Sequence, residues 1–204
     1  MSKSSRDGYI NLSVYATSRM ALGVKCDQSE DFEKANEYYT ECIQLLVELD
    51  NKKDASDKNT MALAYMNRAS NHYTLGRIDE AMPDYNRAIN ILLDMRNKKE
   101  LEDDFDLFMA YKNRSHAYIV DDDLTSAADD TISALRELKG VFSFRFELQE
   151  LYYVVLKELI VLLDYEDSDE KKQNVLDEFL YAMRQVPKRT EAEIAQNRLL
   201  LELA

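Results

Sequence analysis

Apolar residues recur along most of the chain at intervals of three and four, the spacing that keeps one face of an α-helix out of water. In MALAYMNRASNHYT, Leu63, Met66, Ser70 and Tyr73 fall on one side. LGRIDEA then interrupts the pattern, with Gly76 suited to end one helix and Asp79 to cap the next. Beyond it Ala81, Tyr85, Ala88 and Ile89 form a small-large-small stripe, which lets two helices approach closely. FELQELYYVVLKELIVLLDY is apolar almost all round and predicts a buried helix. EKKQNVLDEFLYAMRQV is amphipathic, and TEAEIAQNRLLLELA opens on a capping-box pattern from Thr190 to Glu193. About nine helices and no strands are expected.

The pattern repeats. AYMNRAS at 64–70 returns as AYKNRSH at 110–116, a shift of 46 residues. Ala81, Asp84 and Ala88 return as Ala127, Asp130 and Ala134, and NKK at 51–53 returns at 97–99, with the same shift. Self-similarity at one period of this size is the signature of stacked helical hairpins.

These residues resemble the tetratricopeptide repeat family. Its pattern places an aromatic at repeat position 4, small residues at 8, 20 and 27, and an aromatic at 24. The second unit supplies Tyr65, Ala69, Ala81, Ala88 and Tyr85, with Gly76 in its turn. The third supplies Tyr111, Ser115, Ala127 and Ala134, with Thr131 in place of the second aromatic; the first supplies Leu22, Gly23, Ala35, Tyr39 and Cys42. A weaker fourth unit runs through Val175, Phe179, Ala182 and Pro187. The resemblance implies an all-α, right-handed solenoid of antiparallel helix pairs. It would form a single domain over 1–204, with units at roughly 11–50, 57–97, 103–139 and a degenerate 145–187, closed by a capping helix at 189–203.

The period is longer than the family's ~34 residues. The extra residues fall around DNKKDASDK and RNKKELEDD, where both flanking helices are expected to lengthen about a short polar loop. Pro83, four residues after Asp79, is expected to distort a first turn slightly.

Composition agrees with helices. Four Gly and two Pro in 204 residues are too few for a turn-rich β protein. The formal charge of −13 disfavours nucleic acid and anionic membrane as partners and suits a basic protein. Cys26 and Cys42 are too few for a disulfide framework and fall on apolar faces. Neither a signal-peptide core nor a membrane-length apolar run is present, so a reducing cytoplasm is the expected location.

Candidate chemistry is sparse. His72 and His116 lack a metal-ligand set, no phosphate-binding loop or nucleophile elbow occurs, and no cofactor is expected. DYEDSDEKKQNVLDE lacks the glycine of a calcium loop. Acidic turns recur at Asp27, Glu30 and Asp31, at Asp79 and Glu80, and at Asp121–Asp123. They suit helix dipoles, and stacked along one edge they would also form a rim for a basic partner.

The resemblance further implies a concave groove on the first helices that takes a peptide or partner helix. Carried onto this chain, its strongest candidates are Met20, Met66, Asn67, Ser70, Tyr73, Lys112, Asn113 and His116. Asn67 and Asn113 either clamp a peptide amide or bond a neighbouring helix. The family's clamp for acidic chaperone tails is mostly missing, with Met20, Val24, Met66 and Met109 where its lysines and asparagine belong. The expected function is a non-enzymatic scaffold binding a protein segment. Alternatives are a neutraliser of a basic partner through the rim, or a phosphotransfer or redox protein using His116 or Cys26 and Cys42. A homodimer through the C-terminal helices is a further possibility.

Overall fold

The structure is a computed structural model, and it describes residues 3–51, 57–102, 104–141, 147–165 and 169–184. Eight α-helices and no strands occur among them: α1 (Lys3–Asp27), α2 (Phe32–Asn51), α3 (Lys58–Thr74), α4 (Ile78–Asn97), α5 (Phe105–Val120), α6 (Leu124–Val141), α7 (Glu147–Leu163) and α8 (Asp169–Arg184). The expected capping helix at 189–203 lies outside the described residues. Helices pair in order, α1 with α2, α3 with α4, α5 with α6, and each pair packs on the next through α2–α3, α4–α5 and α6–α7. The first helices also touch one another, α1 with α3 and α3 with α5. This is the helix-hairpin stack of a tetratricopeptide-like solenoid.

Small residues let each pair close. Ala35, Ala81 and Ala127 are fully buried at equivalent places on α2, α4 and α6, and Ala69 and Ala117 are fully buried on α3 and α5. Gly23 serves the same end on α1: a Cβ there would lie 2.5 Å from the buried Tyr39 ring. Large residues then fill the space between pairs, with Leu46, Leu92 and Leu138 buried one unit apart.

Each turn within a pair reverses in the same way. Asp31, Arg77 and Asp123 donate their amides to the carbonyls of Cys26, His72 and Tyr118, five residues back. The residue just before each donor, Glu30, Gly76 and Asp122, has φ of 58°, 72° and 61°. This is the left-handed helix stop that glycine favours. Only the second unit places glycine there. The end of α4 repeats the device, with Lys99 at φ 60° and Glu100 N–H bonded to Met95.

Two expectations change. The N-cap of α4 is Arg77, not Asp79, which lies inside the first turn. And α7 is not buried all round. Leu148, Tyr152, Val155, Leu156 and Leu159 face the core, but Tyr153, Val154, Ile160 and Val161 are exposed. Among the described residues α7 packs mainly on α6 and α8, and its exposed side chains lie on the side away from them.

Candidate partner-binding site

The eight candidate residues lie on α1, α3 and α5, the helices that touch in series. Their environments differ. Met66 is a core residue, 7 % exposed, packed with Ala88, Ile89, Leu92 and Leu107. Its side chain is therefore not open to a partner, which corrects its assignment to the groove. Met20 is half-buried beside the first core cluster, and Tyr73 is half-buried against Tyr85 and Ala117. Lys112 is half-buried, with no ion pair among the described residues. His116 Nε2 lies 3.6 Å from Glu158 Oε2 on α7.

Asn67, Ser70 and Asn113 belong to hydrogen-bonded chains between units. Asn67 Nδ2 donates to Tyr39 Oη at 3.3 Å, and Tyr39 Oη donates in turn to Asp27. Asn71 Nδ2 closes the chain on the other Asp27 oxygen at 2.7 Å. Burial and the adjacent Asp27 push the Tyr39 hydroxyl far above its ordinary pKa, so it remains a donor. One unit along, Asn113 Nδ2 donates to Ser70 Oγ at 3.5 Å, which shares a hydrogen bond with Tyr85 Oη at 3.3 Å. Burial pushes Tyr85 up to about 12. Both asparagines thus reach the tyrosine of the preceding unit, Asn67 directly and Asn113 through Ser70.

Sequence reading missed the strongest polar feature. Arg68 donates from Nε and Nη2 to both oxygens of Asp84, at 2.7 and 2.8 Å, and from Nη1 to Thr40 Oγ1 of the preceding unit at 2.9 Å. Arg114 does the same with Asp130 at 2.7 and 2.7 Å and with Asn86 at 2.5 Å. Each guanidinium also lies over a tyrosine, 5.6 Å from Tyr65 and 5.8 Å from Tyr111. Asp84 and Asp130 are only 6 % exposed. The hydrogen bond to Asp84 holds Arg68 above its usual pKa despite burial. The signal was present: Arg68 and Asp84 are 16 residues apart, and the pair returns after 46 as Arg114 and Asp130.

Three of the acidic turn residues are occupied. Asp27 is taken by Tyr39 and Asn71. Asp31 Oδ1 accepts from Lys34 N–H at 3.4 Å, and Asp123 Oδ1 accepts from Ser126 N–H at 3.1 Å. The Ser126 hydrogen bonds hold Asp123 below the usual carboxylate range. These are helix-capping contacts.

The two thiols differ in exposure. Cys42 is fully buried, and burial pushes its thiol up to about 11, so it is no thiolate at neutral pH. Cys26 is half-buried and free. Among the described residues no three His, Cys, Asp or Glu side chains gather to hold a metal ion. No helix there is long and apolar enough to cross a membrane.

Residues 62–91, most of α3 and α4, match the family model described as Tetratricopeptide repeat. The second hairpin is a tetratricopeptide repeat. The matched stretch holds Arg68, Ala69, Gly76, Ala81, Asp84, Tyr85 and Ala88, the residues that close the second hairpin. No curated protein matches the chain.

Proposed function

We propose that the protein is a non-enzymatic interaction scaffold that holds a peptide or helix of another protein along the face of α1, α3 and α5. The observation that supports this reading most is the matched repeat, set in a series of touching first helices. That face leaves apolar side chains open: Val24, Ile119 and Val120 are exposed, and Met20, Leu63, Tyr73 and Met109 are half-buried. Apolar and methionine-bearing surface of this kind adapts to extended chains and helices. Lys112 adds a cation in its midst.

Because Asn67 and Asn113 tie units together, they are poor positions for a test. Val24→Asp, Lys112→Glu and Val120→Asp alter exposed or half-open positions without touching those chains. A partner captured by the native protein from its host lysate is expected to be lost by this triple variant. It should be kept by a control carrying Val47→Asp on α2. Retention by the triple variant, with unchanged circular dichroism, would overturn the reading.

A further inference from the structure

A second groove lies away from that face. The helices α2 and α4 both pack on α3 and leave between them an open groove of about 820 Å³, with Arg68 and His72 at its base. Its walls are acidic. Glu33, Glu37 and Glu41 come from α2, and Asp79 and Glu80 from α4. Two of these are balanced from outside, Glu33 by Arg77 at 2.6 Å and Glu41 by Arg19 at 2.7 Å. Arg68 is committed to Asp84. Glu37 and Asp79 have no partner among the described residues. Glu80 faces only His72 Nδ1, at 3.4 Å and without hydrogen-bond geometry. Burial lowers the His72 pKa, so it supplies no charge at neutral pH.

Acidity alone would be a solvated surface. Asn36 is the independent observation. It lines the same groove, is only 8 % exposed, and neither its amide nitrogen nor its amide oxygen has a hydrogen-bond partner. A buried amide left so costs about 1–3 kcal/mol. The stack does not need it there, since the equivalent places one and two units along hold Met82 and Ala128. Pro83 adds to the wall, for it has no N–H to give the Asp79 carbonyl four residues back.

We infer that the α2–α4 groove is a binding site for a basic segment of another protein, with an arginine or lysine side chain between Glu37, Asp79 and Glu80 and a main-chain amide on Asn36. An asparagine offers both a donor and an acceptor, which is what a peptide unit asks for. A guanidinium suits several carboxylates at once and sheds its water more readily than an ammonium. The site is separate from the first-helix face, so either can fail without the other.

The test uses a fluorescein-labelled peptide of alternating arginine and glycine, read by anisotropy, beside the same peptide with citrulline for arginine. Citrulline keeps the shape and removes the charge. The native chain is expected to bind the arginine peptide, more weakly as salt rises, and to bind the citrulline peptide about tenfold less tightly. Glu37→Gln with Asp79→Asn should lose about tenfold, whereas Asp121→Asn with Asp122→Asn, an equal loss of charge at another turn, should lose less than about twofold. Asn36→Met installs the residue the next unit already uses. It should weaken binding while the thermal midpoint holds or rises, a split that a structural role would not produce.

Equal weakening by the two charge-removing pairs would mean diffuse attraction to an acidic protein and would overturn the proposal. So would equal binding of both peptides, no binding, or unchanged affinity in Asn36→Met. Loss of the peptide in the Val24→Asp, Lys112→Glu, Val120→Asp variant would place it on the first-helix face instead. A dimer in sedimentation that Glu37→Gln with Asp79→Asn dissolves would assign the groove to a second copy of the chain.

Discussion

The first and third hairpins solve one packing problem by opposite chemistry. In the first, Gly23 makes a hole and the Tyr39 ring fills it. In the third, the same two places hold Ser115 and Thr131, both buried, whose hydroxyls share a hydrogen bond of 2.7 Å. Both also bond the Ala127 carbonyl, at 2.9 and 2.8 Å. A repeat position therefore fixes a volume and leaves the chemistry free. The second hairpin, with Ala69 and Tyr85, lies nearest the family pattern, and it alone falls within the stretch that matches the family model. A second contrast cuts the other way. The second and third hairpins carry the arginine–aspartate clamp, whereas the first has Leu22 and Tyr38 at those places.

Breaking a clamp should give the largest effect. Asp84→Ala leaves a mostly buried guanidinium unpaired and is expected to cost about 3 kcal/mol in urea unfolding. The paired change Arg68→Met with Asp84→Leu should recover much of that. Next, Gly23→Ala pushes a methyl into the Tyr39 ring and should cost about 2 kcal/mol. Ser115→Ala, at the equivalent place, should cost only about 1 kcal/mol, because Thr131 keeps its bond to Ala127. Equal costs would mean that the two hairpins are not packed as described.

The turns sharpen the comparison from the stabilising side. Glu30→Gly and Asp122→Gly relieve left-handed strain and should each gain about 0.5–1 kcal/mol, read as a higher thermal midpoint. Gly76→Ala should lose about 1 kcal/mol, although open space surrounds it, because its φ of 72° is the only obstacle. The smallest effect is in acid. Burial lowers His72 in the folded chain, so its contribution is complete above the unfolded value near 6.5 and fades as pH falls below it. The native midpoint should therefore drop faster than that of His72→Gln between about pH 7 and 5.

The sequence shows plainly what periodicity and size encode. The small residues at 23, 69 and 115 and the alanines at 35, 81 and 127 announced the hairpins. The helix stops were legible only at Gly76, because Glu30 and Asp122 accept the same backbone angle without the residue that advertises it. Helix α7 misled through composition, which counts apolar residues but says nothing of how many neighbours exist to cover them. At the candidate site, spacing placed Asn67, Ser70 and Asn113 correctly on the first helices. It could not say that their amides and hydroxyl look sideways, at the unit before. Met66 is turned inward, into the core cluster that α3, α4 and α5 share. The α2–α4 groove was hidden because one asparagine on a helix reads as surface until its burial is known.

The clamps give the stack a direction. Arg68 holds Thr40 behind it, and Arg114 holds Asn86 behind it. The first hairpin owns no such arginine and is held by its successor's. Amide hydrogens of α1 and α2 should then exchange no more slowly than those of α3 and α4, whereas α3 and α4 should keep their protons when α1 opens. Mechanical pulling from the N-terminal end should peel hairpins away singly.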